Sequence, residues 1–203
     1  STALPAIMTV QADALTALDL PLTDYVDRFV ALMSIWKVSS VSLNLEGEQH
    51  DLGLSIEEGQ KITDEAVELT LDGQDAKIIS QSGENLFSKF YQTLIGIRID
   101  GFDLAASPDG PVTSRITYTL KPDPASQSDA KALVIEFVSR DAYTDYVLID
   151  GSYTGFFVSH RDTFTSGQVG QEGLLVAVSQ LQYAIDHAVD GVFDTSKGYP
   201  AIS

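Results

Sequence analysis

The chain has 203 residues, 44% hydrophobic and 20% charged, with 29 acidic against 12 basic side chains and a formal charge of −17. That balance fits a folded chain rather than a disordered one, and its surplus of negative charge argues against phosphate backbones and anionic lipid as direct partners. There is no cysteine, so disulfides, zinc–thiolate sites and cysteine nucleophiles drop out. No run of about 18 apolar residues exists to cross a membrane as a helix.

Residues 1–20 are small, apolar and weakly patterned, and read as a tether or linker. The opening "STALPAIMTV" has neither an initiator Met nor a basic stretch, which suits a fragment whose targeting segment has been removed. After Pro21, a start signal, Leu22, Tyr25, Val26, Phe29, Leu32 and Met33 recur at helical spacing. The period then shortens. Val38, Val41, Leu43 and Leu45 approach strand alternation up to Gly47, and Leu52, Leu54 and Ile56 line one face of a returning strand. Val67, Leu69 and Leu71 form a third strand that turns at Asp72-Gly73 toward Ile78 and Ile79. Asp-Gly suits a type I′ turn, whose two central residues both need positive φ.

Around residues 84–95 the spacing predicts a helix, capped by Ser82 and stopped by Gly96, with Leu86, Phe87, Phe90, Tyr91 and Leu94 in one stripe. Loops at 103–113 and 122–130 bracket a strand carrying Ile116, Tyr118 and Leu120. Strands over 114–121, 132–140, 143–149 and 153–159 make an antiparallel meander. Its last hairpin turns at Asp150-Gly151, setting Ile149 opposite Ser152, Leu148 opposite Tyr153 and Tyr146 opposite Gly155. Leu174, Val178, Leu181, Ile185, Ala188 and Val192 predict an amphipathic helix near 172–190 with Gly191 as its stop, and "DTSKGYPAIS" is a tail. "VSSVSLNLEG" and "SRITYTLKPD" open two stretches with a shared rhythm of paired strands followed by a helix.

Ser159-His160-Arg161-Asp162 gathers the residue types of a nucleophilic triad. Adjacent strand residues point to opposite faces, so Ser159 and His160 should diverge. Asp162 then caps the exit turn and Arg161 pairs with a carboxylate. His50, His160 and His187 lack i, i+4 spacing, and only His187 with Asp190 could share a helix face toward a metal. Glu136 and Asp145 each interrupt an apolar strand; two such carboxylates are what glycoside hydrolysis needs, while edge-strand carboxylates also guard a sheet. No EF-hand loop, phosphate loop or dinucleotide fingerprint occurs.

"LDLPLTDYVDRF", "VSSVSLNLEGEQHDL", "NLFSKFYQTLIGIRIDG" and "ALVIEFVSRDAYTDYVLIDGSYTGFFVSHRDTF", taken in order over residues 18–165, resemble the bacterial family called domain of unknown function 4340. The resemblance implies an extracytoplasmic domain tethered by an N-terminal anchor, in some members an accessory to transporter systems, and it brings no catalytic residues.

The chain is therefore expected to be α+β: a twisted antiparallel sheet with helices packed on one face, and two loosely related halves within it. The expected division is a tether over 1–20, a domain over 21–165, and a C-terminal helix and tail over 166–203. The expected function is a non-catalytic accessory domain anchored outside the membrane. It would have an envelope or membrane protein as partner, with no nucleic acid, cofactor or catalytic metal. The alternatives are a carbohydrate- or small-ligand-binding protein and a two-carboxylate hydrolase. Phe90, Tyr91, Tyr146, Tyr153 and Phe157 are the candidate ligand or partner surface.

Overall fold

Glycine turns organise the strands. In the computed structural model, which describes residues 29–122, 130–167 and 172–200, β1 (Val38–Leu45) and β2 (Glu48–Ser55) join over Glu46-Gly47 at φ 53° and 96°. β3 (Glu68–Leu71) and β4 (Gln74–Asp75) join over Asp72-Gly73 at 50° and 80°. Both central residues of each turn are left-handed, the type I′ twist that matches the flanking strands.

The chain continues through β5 (Ile79–Ser80), α1 (Leu86–Ile95) and β6 (Gly101–Phe102). Next come β7 (Val112–Leu120), β8 (Ala132–Ser139), β9 (Thr144–Ile149) and β10 (Ser152–Ser159). A π-helical turn (Arg161–Thr165), α2 (Leu174–His187) and β11 (Val192–Phe193) follow.

The fold is mainly antiparallel sheet with few helices. Nine strands run in the order β4-β3-β2-β1-β7-β8-β9-β10-β6, and every pairing among them is antiparallel. Two meanders therefore start side by side at the centre, on β1 and β7, and run outward in opposite directions. They also repeat one device. Asp72 accepts from the Asp51 amide at 2.7 Å and gives its own amide to Asp51 O at 2.8 Å. Asp150 does the same with Val134, at 2.9 and 2.8 Å. Each Asp-Gly hairpin is thus stitched to the neighbouring strand by its own aspartate.

The strand period puts Val41, Leu43, Leu52, Leu69, Leu71, Ile116, Tyr118, Ile135, Phe137 and Val147 on one face. That face buries the stripe Leu86, Phe87, Phe90, Tyr91 and Leu94 of α1, and Leu174, Val178, Leu181 and Ala184 of α2, in one apolar cluster. Each large side chain buried this way contributes about 1.5–3 kcal/mol. No described helix covers the opposite face, where Ser40, Ser42, Arg115, Thr117 and Glu136 stand half-buried or exposed.

Several expectations are corrected. Of the helix expected over residues 22–33, positions 22–28 lie outside the described residues. The remainder is not helical: Phe29 bridges Arg98, and the Val30 amide bonds Ile97 O at 2.9 Å. The cap of α1 is Asn85, whose Oδ1 accepts from the Ser88 amide at 2.8 Å, while Ser82 bonds Ser80. Tyr146 faces Phe157 rather than Gly155, because β10 bulges between Tyr153 and Phe157 with Gly155 at φ 86°. α2 ends at His187, with Ala188 already extended, and Asp190-Gly191 is a tight turn between Val189 and Val192. The tail is structured up to residue 200: β11 pairs parallel with β5, Phe193 is buried, and Tyr199 stacks on it at 5.4 Å. The loop at 123–129 lies outside the described residues.

Candidate functional site

Counting back five residues from the two equivalent hairpin aspartates reaches Val67 in the first meander and Asp145 in the second. Val67 is fully buried, and Asp145 is 1% exposed. A carboxylate stands where the other half has valine, and a buried charge must be paired. Its partner is His160, whose Nδ1 lies 2.7 Å from Asp145 Oδ2. Asp145 faces Val158 across the β9–β10 ladder, and His160, two residues on, returns to the same face. The Phe164 ring in the π-helical turn sits 5.2 Å from the imidazole.

The other ring nitrogen is also taken. His160 Nε2 lies 2.9 Å from Glu46 Oε1, in the turn between β1 and β2. Glu46 holds φ 53° and donates its amide to Ser114 Oγ, a buried hydroxyl, at 3.1 Å. These side chains line an open depression of about 460 Å³ at the end of the sheet, with Thr113, Ser139 and Asp141 around them and Tyr143, 78% exposed, beside it. Burial pushes the Asp145 carboxyl above the usual carboxylate range, against the hydrogen bond from His160. Asp141 is held below that range by the backbone amide of Tyr143 and by Thr144.

The two carboxylates sit on opposite sides of the ring, so the three groups do not converge on one point. Among the described residues no cluster of three metal-ligating side chains occurs. Ser159 does not join His160; its Oγ accepts from the Asp162 amide at 3.3 Å. Serine rather than Asp162 thus supplies the side-chain hydrogen bond at this exit turn, and Arg161 meets Ser166 Oγ at 3.1 Å rather than a carboxylate. Glu136 lies on the outer face, bound twice by Arg115 at 2.6 and 2.9 Å. The hydrolase pair is therefore not assembled. His50 pairs with Asp72 at 2.7 Å. His187 bonds Tyr183 O at 2.9 Å, and Asp190 lies beyond the end of its helix.

The candidate aromatics divide. Phe90 and Tyr91 are 2% and 5% exposed and pack α1 onto the sheet; this corrects their place on a ligand surface. Tyr146, Tyr153 and Phe157 gather on the outer face of the β9–β10 hairpin, half-buried. The Arg140 guanidinium lies 4.3 Å from the Phe157 ring centre, Tyr146 and Tyr153 meet edge to face at 5.3 Å, and Tyr153 donates to Asp103 O at 2.8 Å. Segment 101–104 closes over them, since a side chain on Gly101 would meet Phe157 at 2.6 Å. The rings form a closed stack around Arg140 rather than an open platform.

Sequence reasoning singled out Asp145 and His160 separately and missed Glu46. "LEGEQ" carries only a turn signal; the strand order that brings the first hairpin to the end of the fourth meander strand is invisible at that range. Compared with protein-family models, curated proteins and solved structures, the chain matches none.

Proposed function

We propose that this chain is a non-catalytic interaction domain, an accessory to an envelope or membrane protein outside the cytoplasmic membrane, that binds a partner with a basic surface. The observation that carries this reading is the outer face of β2, β1 and β7, which no described helix covers. It offers a broad, shallow relief of Ser, Thr and Asn, and both sheet edges end in two-residue strands, so a partner would meet the face and not extend the sheet. The net charge of −17 favours a basic partner. The groups with chemical potential, His160, Asp145 and Glu46, are engaged with one another. The resemblance in element order to domain of unknown function 4340 supports the extracytoplasmic placement; no described helix is long and apolar enough to cross a membrane.

The test is site-specific photocrosslinking in cells. A crosslinker at Thr117 or Ser42, on the face that no described helix covers, should capture one membrane protein with a basic docking surface. The same group at Gln92, exposed on α1, should not. Capture from Gln92 alone, or a parent protein recovered only in the soluble cytoplasmic fraction, would sink the proposal. The open depression beside Tyr143 favours the second reading, a small-ligand site; capture only from a crosslinker placed at Thr113 would move the assignment there.

A further inference from the structure

We propose that Glu46, His160 and Asp145 form a proton-operated clasp: a protonated His160 ties the β1–β2 turn to the buried end of β9, and loss of that proton releases the Glu46 side chain and opens the depression to Nε2.

The geometry sets the logic. Nδ1 is hydrogen-bonded to Asp145 at 2.7 Å and Nε2 makes an ion-pair contact with Glu46 at 2.9 Å, and only the imidazolium carries an N–H toward each carboxylate. A neutral ring has one N–H and presents a lone pair to the other carboxylate. Which contact survives is decided by burial. The Asp145 side chain is 2% exposed and that of Glu46 41%. An unpaired buried carboxylate is costly, whereas an exposed one regains water. The remaining proton therefore stays on Nδ1, and Glu46 leaves.

The charges around the ring act in the same direction. Glu46 faces it from the β1–β2 turn, Asp145 from β9 and Asp141 from the turn before β9. From the π-helical turn the neighbour is the uncharged Phe164. Among the described residues no Lys or Arg pairs with Glu46 or Asp145. Arg140 is held by Asp103 and Asp141, and Arg115 by Glu136. One imidazole thus stands between Glu46 and Asp145, while Asp141 is already paired with Arg140, and its proton decides whether the two stay together.

The turn itself stays in place. The Glu46 amide is held by buried Ser114, so release is a side-chain motion, fast and reversible. The absence of a counterpart in the first meander is the second support. At the position equivalent to Asp145 that half has Val67, buried and apolar. The sheet closes there without a charge, so the buried carboxylate is not required by the architecture.

The experiment is a side-chain NMR titration of the whole chain, labelled at glutamate Cδ and histidine ring nitrogens, between about pH 5.5 and about pH 8.5. This window spans the range in which histidine changes charge and lies above that of ordinary carboxyls. Glu46 should occupy a paired position at the acid end and a free one at the basic end, inverting together with the His160 ring signal. The neutral ring should be the Nδ1–H tautomer. In His160→Gln, which keeps a polar side chain without a titrating proton, the Glu46 inversion should vanish. A Glu46 signal unmoved in the parent chain, one that still inverts in His160→Gln, or a neutral ring protonated at Nε2 would each overturn the clasp.

Discussion

Among the described residues Asp145 is a buried charge with one side-chain partner, His160, and its energetics follow from that. Burial raises its carboxyl above the ordinary range while the bond from His160 opposes the rise. A carboxyl raised in the folded state favours folding fully only below its unfolded value of about 3.9, and that contribution is lost as pH climbs through the folded value. At neutral pH Asp145 is thus a cost that His160 offsets. Replacing His160 by Ala should destabilise the chain by about 3–5 kcal/mol at pH 7, the usual result of stranding one member of a buried pair, as read from urea denaturation. The stranded carboxyl should take up a proton as pH falls. His160→Ala should therefore gain stability between about pH 7 and about pH 5 relative to His160→Ala/Asp145→Asn, which has no such proton to bind. Parallel pH profiles for the two variants would contradict this account. Asp145 was legible as a candidate because it interrupts "YTDYVLI". Its role was not, because the strand pattern says which face a residue takes and nothing of what a distant turn brings there.

Elements defined by local chemistry were read well from the sequence. The hairpins at Asp72-Gly73 and Asp150-Gly151, the alternation of β1, β2, β7 and β8, and the stripe of α1 need only neighbours a few residues away. Elements defined by distant partners were not. β5 and β11 pair through two residues each, more than a hundred positions apart in sequence, and β6 exists only because β10 lies beside it. The bulge that shifts Tyr146 to Phe157 follows from Gly155 packing under Leu104, where a Cβ would meet Leu104 Cδ2 at 2.7 Å. Glycines test this distinction. Gly173 caps α2 against the π-helical turn, and a Cβ there would lie 2.4 Å from backbone atoms of Phe164 and Thr165. Gly151 has φ 74° and open space around it. Gly173→Ala must displace backbone and should cost about 3 kcal/mol, at the upper end of forced overpacking. Gly151→Ala bears only left-handed strain and should cost about 1 kcal/mol. Thermal denaturation should rank them in that order; the reverse would mean that the π-turn yields to α2 without resistance.

At the scale of the whole molecule, the nine strands of the described residues form a sheet with two edges, and each is a template for another chain unless it is blunted. Here β4 at one edge is two residues long, both exposed, and Asp75 is charged; β6 at the other edge is equally short. The first edge lies in a strongly acidic stretch: residues 46–75 hold ten acidic side chains and one lysine. Two barriers therefore act together, a lack of strand length and a repulsion that salt weakens within a screening length of about 10 Å at 0.1 M. Gln74→Ile with Asp75→Val should remove the charge and supply β-branched residues that extend β4 beside β3. The double variant should keep the parent's circular dichroism yet form higher oligomers in sedimentation velocity, to an extent that grows with added salt as the remaining repulsion is screened. The parent chain, with its edge intact, should not respond to salt in this way. A double variant whose sedimentation is indistinguishable from the parent's at every salt concentration would show that this edge is protected by something other than length and charge.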